Sequence, residues 1–178
     1  MNKKKLVTEM GRIDRDAFAQ SQKLPLVVVL DIVRSLHNVG SVFRTSDAFR
    51  VECIMLCGIT ATPPSAEMHK TALGAEDVVD WKFYESTMDA VAELRSQGYR
   101  IYSIELCQGS IALQDFVTAP GERYAVVLGN EVKGVQQDVV DASDGAIEIP
   151  QFGTKHSLNV SVTAGMVIWE FAKKMGLV

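Results

Sequence analysis

Three short segments of this 178-residue chain combine polar side chains with glycines in patterns suited to binding a ligand. They span residues 37–45, 128–135 and 149–162. Each has a strand-like apolar run in front of it or a helix-like run behind it. In an open α/β sheet, ligands bind at the carboxyl ends of the strands. The three segments therefore predict a single site that is assembled from distant parts of the chain.

The second segment has the glycine spacing of a phosphate-binding loop but not its functional residues. Gly129 and Gly134 fit the G-x-x-x-x-G spacing, whereas Val135 and Gln136 stand where such a loop needs lysine and serine or threonine. No G-x-G-x-x-G pattern follows the first strand-like run, so a dinucleotide-binding Rossmann domain is not expected either.

Strand-like apolar runs alternate with helical patterns, which predicts an α/β fold with a mainly parallel sheet flanked by helices. The continuous apolar run at residues 26–30 is typical of a strand buried on both faces of such a sheet. Strands are predicted at residues 26–30, 52–57, 78–84, 99–106, 124–128 and 146–149. Helices are predicted at residues 39–49, 87–97, 136–142 and 157–174. Residues 70–75 are predicted to be irregular.

Residues 1–24 read as an N-terminal helical extension, and residues 25–178 as one domain with a full core. The extension has apolar residues at helical spacing, namely Leu6, Met10, Ile13 and Ala17. We expect this helix to end before Pro25 and to pack on the domain or on a partner.

Composition excludes several classes of protein. The net charge of −4 and pI of about 5.4 count against a nucleic-acid partner, because proteins that bind nucleic acids usually carry a basic excess. Local patches can still bind, and positive charge concentrates in the first 15 residues. No apolar run approaches the roughly 20 residues that cross a bilayer, and no secretory signal is visible. We therefore expect a cytoplasmic protein without a membrane partner. The three cysteines form no CxxC pair or Cys/His cluster, which predicts free thiols and no metal site.

Together the three segments resemble the motifs of the SpoU/TrmH-type RNA 2′-O-ribose methyltransferases of the SPOUT superfamily. The first matches N-x-G-x-x-x-R-[ST] through Asn38, Gly40, Arg44 and Thr45. The second matches L-G-x-E-x-x-G through Leu128, Gly129, Glu131 and Gly134. The third matches I-P-x-x-G-x-x-x-S-L-N-V-S through Ile149, Pro150, Gly153, Ser157, Leu158, Asn159, Val160 and Ser161. The match covers residues 25–175 with order and spacing intact.

The resemblance implies a C-terminal deep trefoil knot, a homodimer and S-adenosylmethionine bound in the knotted loops. By position, the cofactor would contact Glu105, Leu106, Leu128, Gly129, Asn130, Ile149, Ser157 and Leu158. The glycines would let the main chain approach the ligand and turn sharply. Backbone groups would provide much of the recognition, so the identity of the Asn130 side chain is expected to matter less.

The implied reaction transfers a methyl group to a ribose 2′-hydroxyl of RNA, with transfer RNA favoured over ribosomal RNA. The implied catalytic residues are Arg44, Asn38, Glu131, Ser157 and Asn159. Arginine stays protonated at neutral pH and is a poor base. Our hypothesis is that Arg44 grips an RNA phosphate and stabilises the developing alkoxide. Glu131 would orient Arg44, and the other three would hold the ribose and the loop.

Simpler interpretations stand beside these roles. Asn38 could cap a helix that begins at Val39, and Ser157 could cap the last helix. The alternative function is a non-catalytic RNA-binding dimer on the same scaffold. Base methylation is disfavoured, because the arginine pattern of the first segment belongs to the ribose-modifying branch. The sequence leaves open which nucleotide is modified, and whether the N-terminal extension contacts RNA or a partner subunit.

Overall fold

A computed structural model describes residues 2–155 and 157–178 and contains a seven-stranded sheet in the order β3-β2-β1-β6-β4-β7-β5. Every strand pairs with its neighbours in parallel. The strands are β1 (Leu24–Asp31), β2 (Val51–Cys57), β3 (Trp81–Tyr84), β4 (Arg100–Ile104), β5 (Ile111–Ala112), β6 (Tyr124–Leu128) and β7 (Gly145–Glu148). The helices are α1 (Arg15–Gln20), α2 (Leu36–Ala48), α3 (Ala66–Ala72), α4 (Thr87–Ser96), α5 (Gln137–Ala142) and α6 (Val160–Lys174). The predicted parallel α/β architecture is confirmed.

Helices cover both faces of the sheet, because apolar side chains of the inner strand β1 point alternately to the two faces and both sets are buried. Leu26, Val28 and Leu30 point into a core shared with α2, α3 and α6. Val27 and Val29 point to the opposite core, which α4 and α5 cover. Successive strand residues face opposite sides, so a strand buried on both faces must be apolar throughout. This explains the unbroken apolar run that the sequence shows.

Two parts of the sequence-based description are wrong. The region of residues 70–75, predicted to be irregular, begins inside α3, where Met68 and Ala72 are one helical turn apart and both buried. The N-terminal helix is confined to Arg15–Gln20, because Asp14 caps it by accepting a hydrogen bond from the Ala17 N–H (2.8 Å). The predicted stripe is exposed, and the extension reaches the core through Phe18 instead. The two-residue strand β5 was not predicted.

The two helices that carry residues of the first and third motif segments begin at residues other than those considered from sequence. Helix α2 starts at Leu36, and the Ser35 hydroxyl caps it by accepting from the Asn38 N–H (3.3 Å). Helix α6 starts at Val160 with Asn159 as its cap, through bonds to the N–H groups of Ser161 and Val162. Neither Asn38 nor Ser157 is a helix cap, so both of those simpler interpretations are wrong.

Gly40, one of the motif glycines, allows α2 and α3 to pack closely. A Cβ added at Gly40 would lie 2.3 Å from the Met68 carbonyl oxygen and 2.3 Å from the Thr71 hydroxyl. Because the first contact is with backbone, α3 would have to move to admit any side chain.

None of the described helices is both long and apolar enough to cross a membrane.

Candidate active site

A pocket of about 490 Å³ opens at the carboxyl ends of β4, β6 and β7, beside the first turn of α6. It is lined by residues that directly follow these strands and by the chain that leads into α6. Those predicted to bind the cofactor all line it, namely Glu105, Leu106, Leu128, Gly129, Asn130, Ile149, Ser157 and Leu158. Glu131 and Asn159 line it as well. The second and third motif segments therefore meet at one place.

The first wall of the pocket is a tight bend at residues 129–135, here called the glycine bend. Asn130 and Gly134 close it through two backbone hydrogen bonds of 3.0 and 2.9 Å. A Cβ at Gly129 would lie 2.1 Å from the backbone carbon of Gly134, and Gly134 itself has φ of +70°. Both glycines are needed because the bend folds back on itself, which agrees with the sharp turn expected from sequence, and the close approach of the main chain to a ligand stays a prediction.

The side chain of Asn130 holds the glycine bend in place, contrary to the expectation that its identity matters less. Its Oδ1 accepts hydrogen bonds from the N–H groups of Val132 (2.9 Å) and Lys133 (3.2 Å). Its Nδ2 donates to the carbonyl oxygen of Ile32, just after β1 (2.8 Å). Only an amide offers an acceptor and a donor in this arrangement, so the side chain is a structural requirement of the bend.

Glu105, at the end of β4, ties the bend to the sheet from the other side. Its Oε2 accepts from the Val135 N–H (3.0 Å), and its Oε1 accepts from the Leu106 N–H (3.0 Å). Gly134 packs against the same carboxylate, since a Cβ there would lie 2.1 Å from Oε2. The Glu105 carboxylate therefore both lines the pocket and fixes one of its walls.

A hydrogen-bonded network brings together one residue from each motif segment. The Asn38 amide nitrogen donates to Glu131 Oε1 (3.3 Å), and the Asn38 amide oxygen accepts from Asn159 Nδ2 (3.2 Å). Glu131 also accepts from the backbone N–H groups of Arg34 (3.3 Å) and Ser35 (3.2 Å). The chain positions are 93 and 121 residues apart for the two side-chain bonds, so this contact could not be inferred from local sequence.

The network keeps Glu131 ionised. Desolvation alone would raise the pKa of Glu131, but hydrogen bonds from backbone N–H groups and from the Asn38 amide outweigh it and lower the pKa below 4.5. A carboxylate held in this form accepts hydrogen bonds and cannot serve as a proton donor at neutral pH. Its role in the site is to fix the start of α2 against the glycine bend.

Arg44 lies away from this network within a single chain. It is six residues after Asn38 on α2, which places it about 9 Å further along the helix and about 120° around its axis. It is exposed, and it lines a different groove from the pocket. Glu131 bonds to Asn38 and to the start of α2, so the expectation that Glu131 orients Arg44 is wrong for one chain.

Sequence reasoning missed several residues of the site. Lys133, Glu148, Gln151 and Thr163 line the pocket, and the first three lie in or beside motif positions that the pattern leaves unspecified. Asp31, fully buried at the end of β1, supports the far end of the bend by accepting from the Gln136 N–H (2.9 Å) and Nε2 (2.8 Å). An acidic residue that ends an apolar strand was the available signal for Asp31. Among the described residues, no cluster of metal-ligand side chains occurs.

Replacing Glu131 with glutamine is expected to destabilise the protein at pH 7 but not in acid. The pKa of Glu131 is lower in the folded protein than in the unfolded chain. The ionised carboxylate therefore stabilises the fold fully at pH values above the unfolded-state pKa, and this stabilisation is lost as the pH falls through the folded-state pKa. Because Glu131 is exposed, we expect only about 1 kcal/mol, or a loss of about 2–4 °C in Tm. Thermal melts between pH 3 and 8 test this, with Glu85→Gln as the control on an exposed carboxylate. A difference in Tm that persists below the folded pKa contradicts the assignment.

Comparison with known proteins places these motifs in a family. The profile described as the SpoU rRNA Methylase family matches residues 25–169. The chain is 32% identical over 173 residues to a putative TrmH family tRNA/rRNA methyltransferase of Staphylococcus haemolyticus, covering 95% of this chain and 68% of that one. It is 34% identical over 145 residues to the 23S rRNA (guanosine-2′-O-)-methyltransferase RlmB of Nitrosomonas europaea, covering 82% and 55%.

The fold is shared with solved structures. The crystal structure of an AdoMet-bound rRNA methyltransferase from Sinorhizobium meliloti superposes with a TM-score of 0.78 and 26% identity, covering 89% of this chain and 59% of that one. The chain thus spans little more than half to about two thirds of the length of the curated relatives described above.

Proposed function

The chain belongs to the SpoU rRNA methylase family, and we propose that it transfers a methyl group from S-adenosylmethionine to a ribose 2′-hydroxyl of RNA. The observation that carries the proposal is the convergence of the second and third motif segments on one pocket, with Asn38 of the first segment bonded to both. Support comes from a relative named as a 23S rRNA guanosine-2′-O-methyltransferase and from another named as a putative tRNA/rRNA methyltransferase.

The residues of the pocket suit S-adenosylmethionine. Its volume lies within the roughly 300–1,000 Å³ of typical small-molecule sites. Leu106, Leu128 and Leu158 offer apolar surface for the adenine ring. The carboxylates of Glu105 and Glu148 favour a cationic sulfonium and ammonium over neutral ligands, and Lys133 offers a partner for the amino-acid carboxylate.

Bound S-adenosylmethionine supplies a methyl group on positively charged sulfur. The ribose oxygen would take this methyl group in place of its hydroxyl proton, which would leave to water, and the electron pair of the broken carbon–sulfur bond would stay with the departing sulfur. We assign the chain three tasks in this step. Asn38 and Asn159 hold the ribose beside the pocket, Ser157 contributes to the same wall, and Arg44 stabilises the developing negative charge.

The same proposal includes a homodimer, because one chain alone keeps Arg44 outside the pocket that the cofactor would fill. Helix α6 presents a stripe of apolar residues that are 44–49% exposed, namely Val162, Met166 and Trp169. Their spacing of four and three residues places them on one side of the helix. A second copy that packs on this stripe buries it and can bring its own Arg44 to the pocket.

Met166→Lys is expected to raise the dimer dissociation constant by about a hundredfold, because an unpaired charge would be buried at the interface. This increase corresponds to about 2.8 kcal/mol of binding free energy. Methylation should fall in parallel at protein concentrations below the new dissociation constant. Sedimentation velocity measures the first effect. Val117→Lys, at a residue that is 82% exposed elsewhere on the surface, is the control. A dimer that is unaffected by Met166→Lys places the interface on another surface.

Four finer features are part of the proposal. A trefoil knot at the C-terminal part of the sheet is supported by the neighbouring positions of β6, β4 and β7. It is also supported by the position of residues 149, 151 and 157–159 beside the glycine bend. The family match beginning at residue 25 supports a division into an extension of residues 1–24 and a methyltransferase domain of residues 25–178. We also propose a transfer RNA substrate and a cytoplasmic location.

Two measurements test the proposed function. Isothermal titration should detect S-adenosylmethionine binding by the purified protein. Incubation with the cofactor and in vitro transcribed transfer RNA or 23S ribosomal RNA, followed by nuclease digestion and mass spectrometry, should detect a 2′-O-methylated nucleoside. Absence of cofactor binding, with the protein folded, would refute the proposal and favour the non-catalytic RNA-binding dimer.

A further inference from the structure

A second concave surface of about 770 Å³, here called the arginine groove, lies on the opposite half of α2 from Asn38. It runs between residues 10–15 of the N-terminal extension, the C-terminal end of α2, and the turn that follows α3. Four arginines line it, namely Arg12, Arg15, Arg44 and Arg50. We propose that this groove binds the phosphate backbone of the RNA substrate, an inference that rests on the proposed function.

The charge of the groove is opposite to that of the whole chain. Four arginines and two aspartates, Asp14 and Asp47, line it, which leaves an excess of two positive charges. The chain as a whole has 18 basic and 22 acidic residues. Lys23 also lies near Asp47, but Asp80 acts on Lys23 more strongly than Asp47 does, so Lys23 is not counted toward this excess. A protein that is acidic overall but basic in one groove can attract a polyanion to that groove alone.

Among the described residues, three of the four groove arginines have no carboxylate partner, and the fourth, Arg15, donates to the backbone carbonyl oxygen of Asp77. Arg95, Arg100 and Arg123, elsewhere on the surface, each form a salt bridge with an aspartate or glutamate. Over residues 2–155 and 157–178, no carboxylate oxygen lies within 4.0 Å of the guanidinium of Arg12, Arg44 or Arg50. Of the two aspartates in the groove, Asp14 is occupied as the cap of α1. The guanidinium groups thus remain available for bidentate bonds to phosphate.

The rest of the groove suits a nucleic acid better than a small anion. Met10, Ile13 and Leu73 line it with exposed apolar side chains, which can contact sugars and bases between the phosphates. Single-stranded nucleic acids are bound by combining a basic groove with such contacts. An acidic peptide is the competing occupant, but several arginines along an open groove match a chain with evenly repeated phosphates.

The location of the groove connects RNA binding to the reaction. Arg44 belongs both to the groove and to the predicted catalytic residues, and α2 carries Asn38 of the pocket network at its other end. RNA that lies in the groove is therefore held by the same helix that positions the reaction site. The N-terminal extension, through Arg12 and Arg15, acts as one wall of the RNA-binding surface.

The test uses the full-length protein and a variant with two groove arginines removed, Arg12→Ala combined with Arg50→Ala. Both side chains lie on the surface of the groove, and Arg44 is left intact. The probe is a fluorescently labelled transfer RNA transcript, and its binding is measured by fluorescence anisotropy at salt concentrations between 50 and 300 mM. We expect the Kd to rise about tenfold at 150 mM salt and the slope of log Kd against log salt to fall by about 1.5. S-adenosylmethionine affinity should not change.

The control variant removes the same charge elsewhere, with Arg100→Ala and Lys173→Ala, and should bind the RNA as the unmodified protein does. Three results would overturn the inference: an unchanged Kd in the groove variant, an equal loss in the control, or a change in sedimentation that assigns the groove to a protein interface. Thermal melting confirms that the variants are folded. If the unmodified protein does not methylate RNA, the proposed function fails. If it does and the groove variant binds normally, only this inference fails.

Discussion

Arg44→Ala is expected to lower kcat for ribose methylation by about a hundred- to a thousandfold, the range seen when one group that stabilises a developing oxyanion is removed. S-adenosylmethionine affinity should change little, because Arg44 does not line the pocket of its own chain and, in the proposed dimer, is assigned to the charge that develops on the ribose oxygen and not to the cofactor. The side chain is exposed and has no ion-pair partner within 4.0 Å in the described part of the chain, so its loss should hardly change Tm. Arg100→Ala is the matched control on an exposed arginine.

The same position separates a proton-accepting role from an electrostatic one. Arg44→Lys keeps the positive charge but changes the group that could accept a proton, with an ordinary lysine pKa of about 10.4. If Arg44 only stabilises charge, the lysine variant should be slower with an unchanged pH–rate profile. A new limb that rises towards the lysine pKa would instead establish a base and contradict our assignment.

The strands of the core were predictable because a buried parallel sheet leaves a clear pattern. Residues 26–30 and 124–128 are apolar without interruption, and they became the two central neighbours β1 and β6. The placement of the polar segments at strand ends was enough to predict one pocket. In this part of the fold, the local apolar pattern agrees with the sheet topology, so the sequence alone was enough to predict the strands and the pocket at their ends.

The contacts inside the site were not predictable in the same way. Glu131 was expected to orient Arg44, but it is bound by Asn38 and by the N–H groups that begin α2. Which polar groups meet depends on where α2 starts. Ser35 caps the helix, so α2 starts at Leu36, three residues earlier than the apolar pattern indicated. The earlier start adds most of a helical turn, which places Asn38 inside α2, where its side chain bonds to Glu131, and not at a cap position.

Short elements were missed because they owe their structure to packing and not to propensity. Helix α3 has seven residues and buries only Met68 and Ala72, which leaves too weak a period to recognise. It forms against α2, where Gly40 leaves room for it. An isolated helix of seven residues would be unstable in water. Helix α3 therefore depends on its packing against α2 at Gly40, which lies 28 residues before Met68 in the chain.

Gly129→Ala is expected to weaken S-adenosylmethionine binding by about a hundredfold or more, as misplacement of binding groups by about 1 Å commonly does. The new Cβ would lie 2.1 Å from the backbone carbon of Gly134 and 2.1 Å from the backbone nitrogen of Val135. Backbone cannot yield as a flexible side chain does, so the glycine bend must open. Its closing bonds between Asn130 and Gly134 would then be strained or lost.

Gly153→Ala is the matched control, since it makes the same chemical change in the third motif segment. A Cβ there meets nothing within 4 Å, and Gly153 does not line the pocket. Isothermal titration of both variants, with thermal melts to show that each is folded, separates a distorted bend from a general intolerance of alanine. Overpacking should cost Gly129→Ala about 1–3 kcal/mol of stability. Full cofactor affinity in a folded Gly129→Ala protein would mean that the bend does not form the binding wall, and the pocket would then need another occupant.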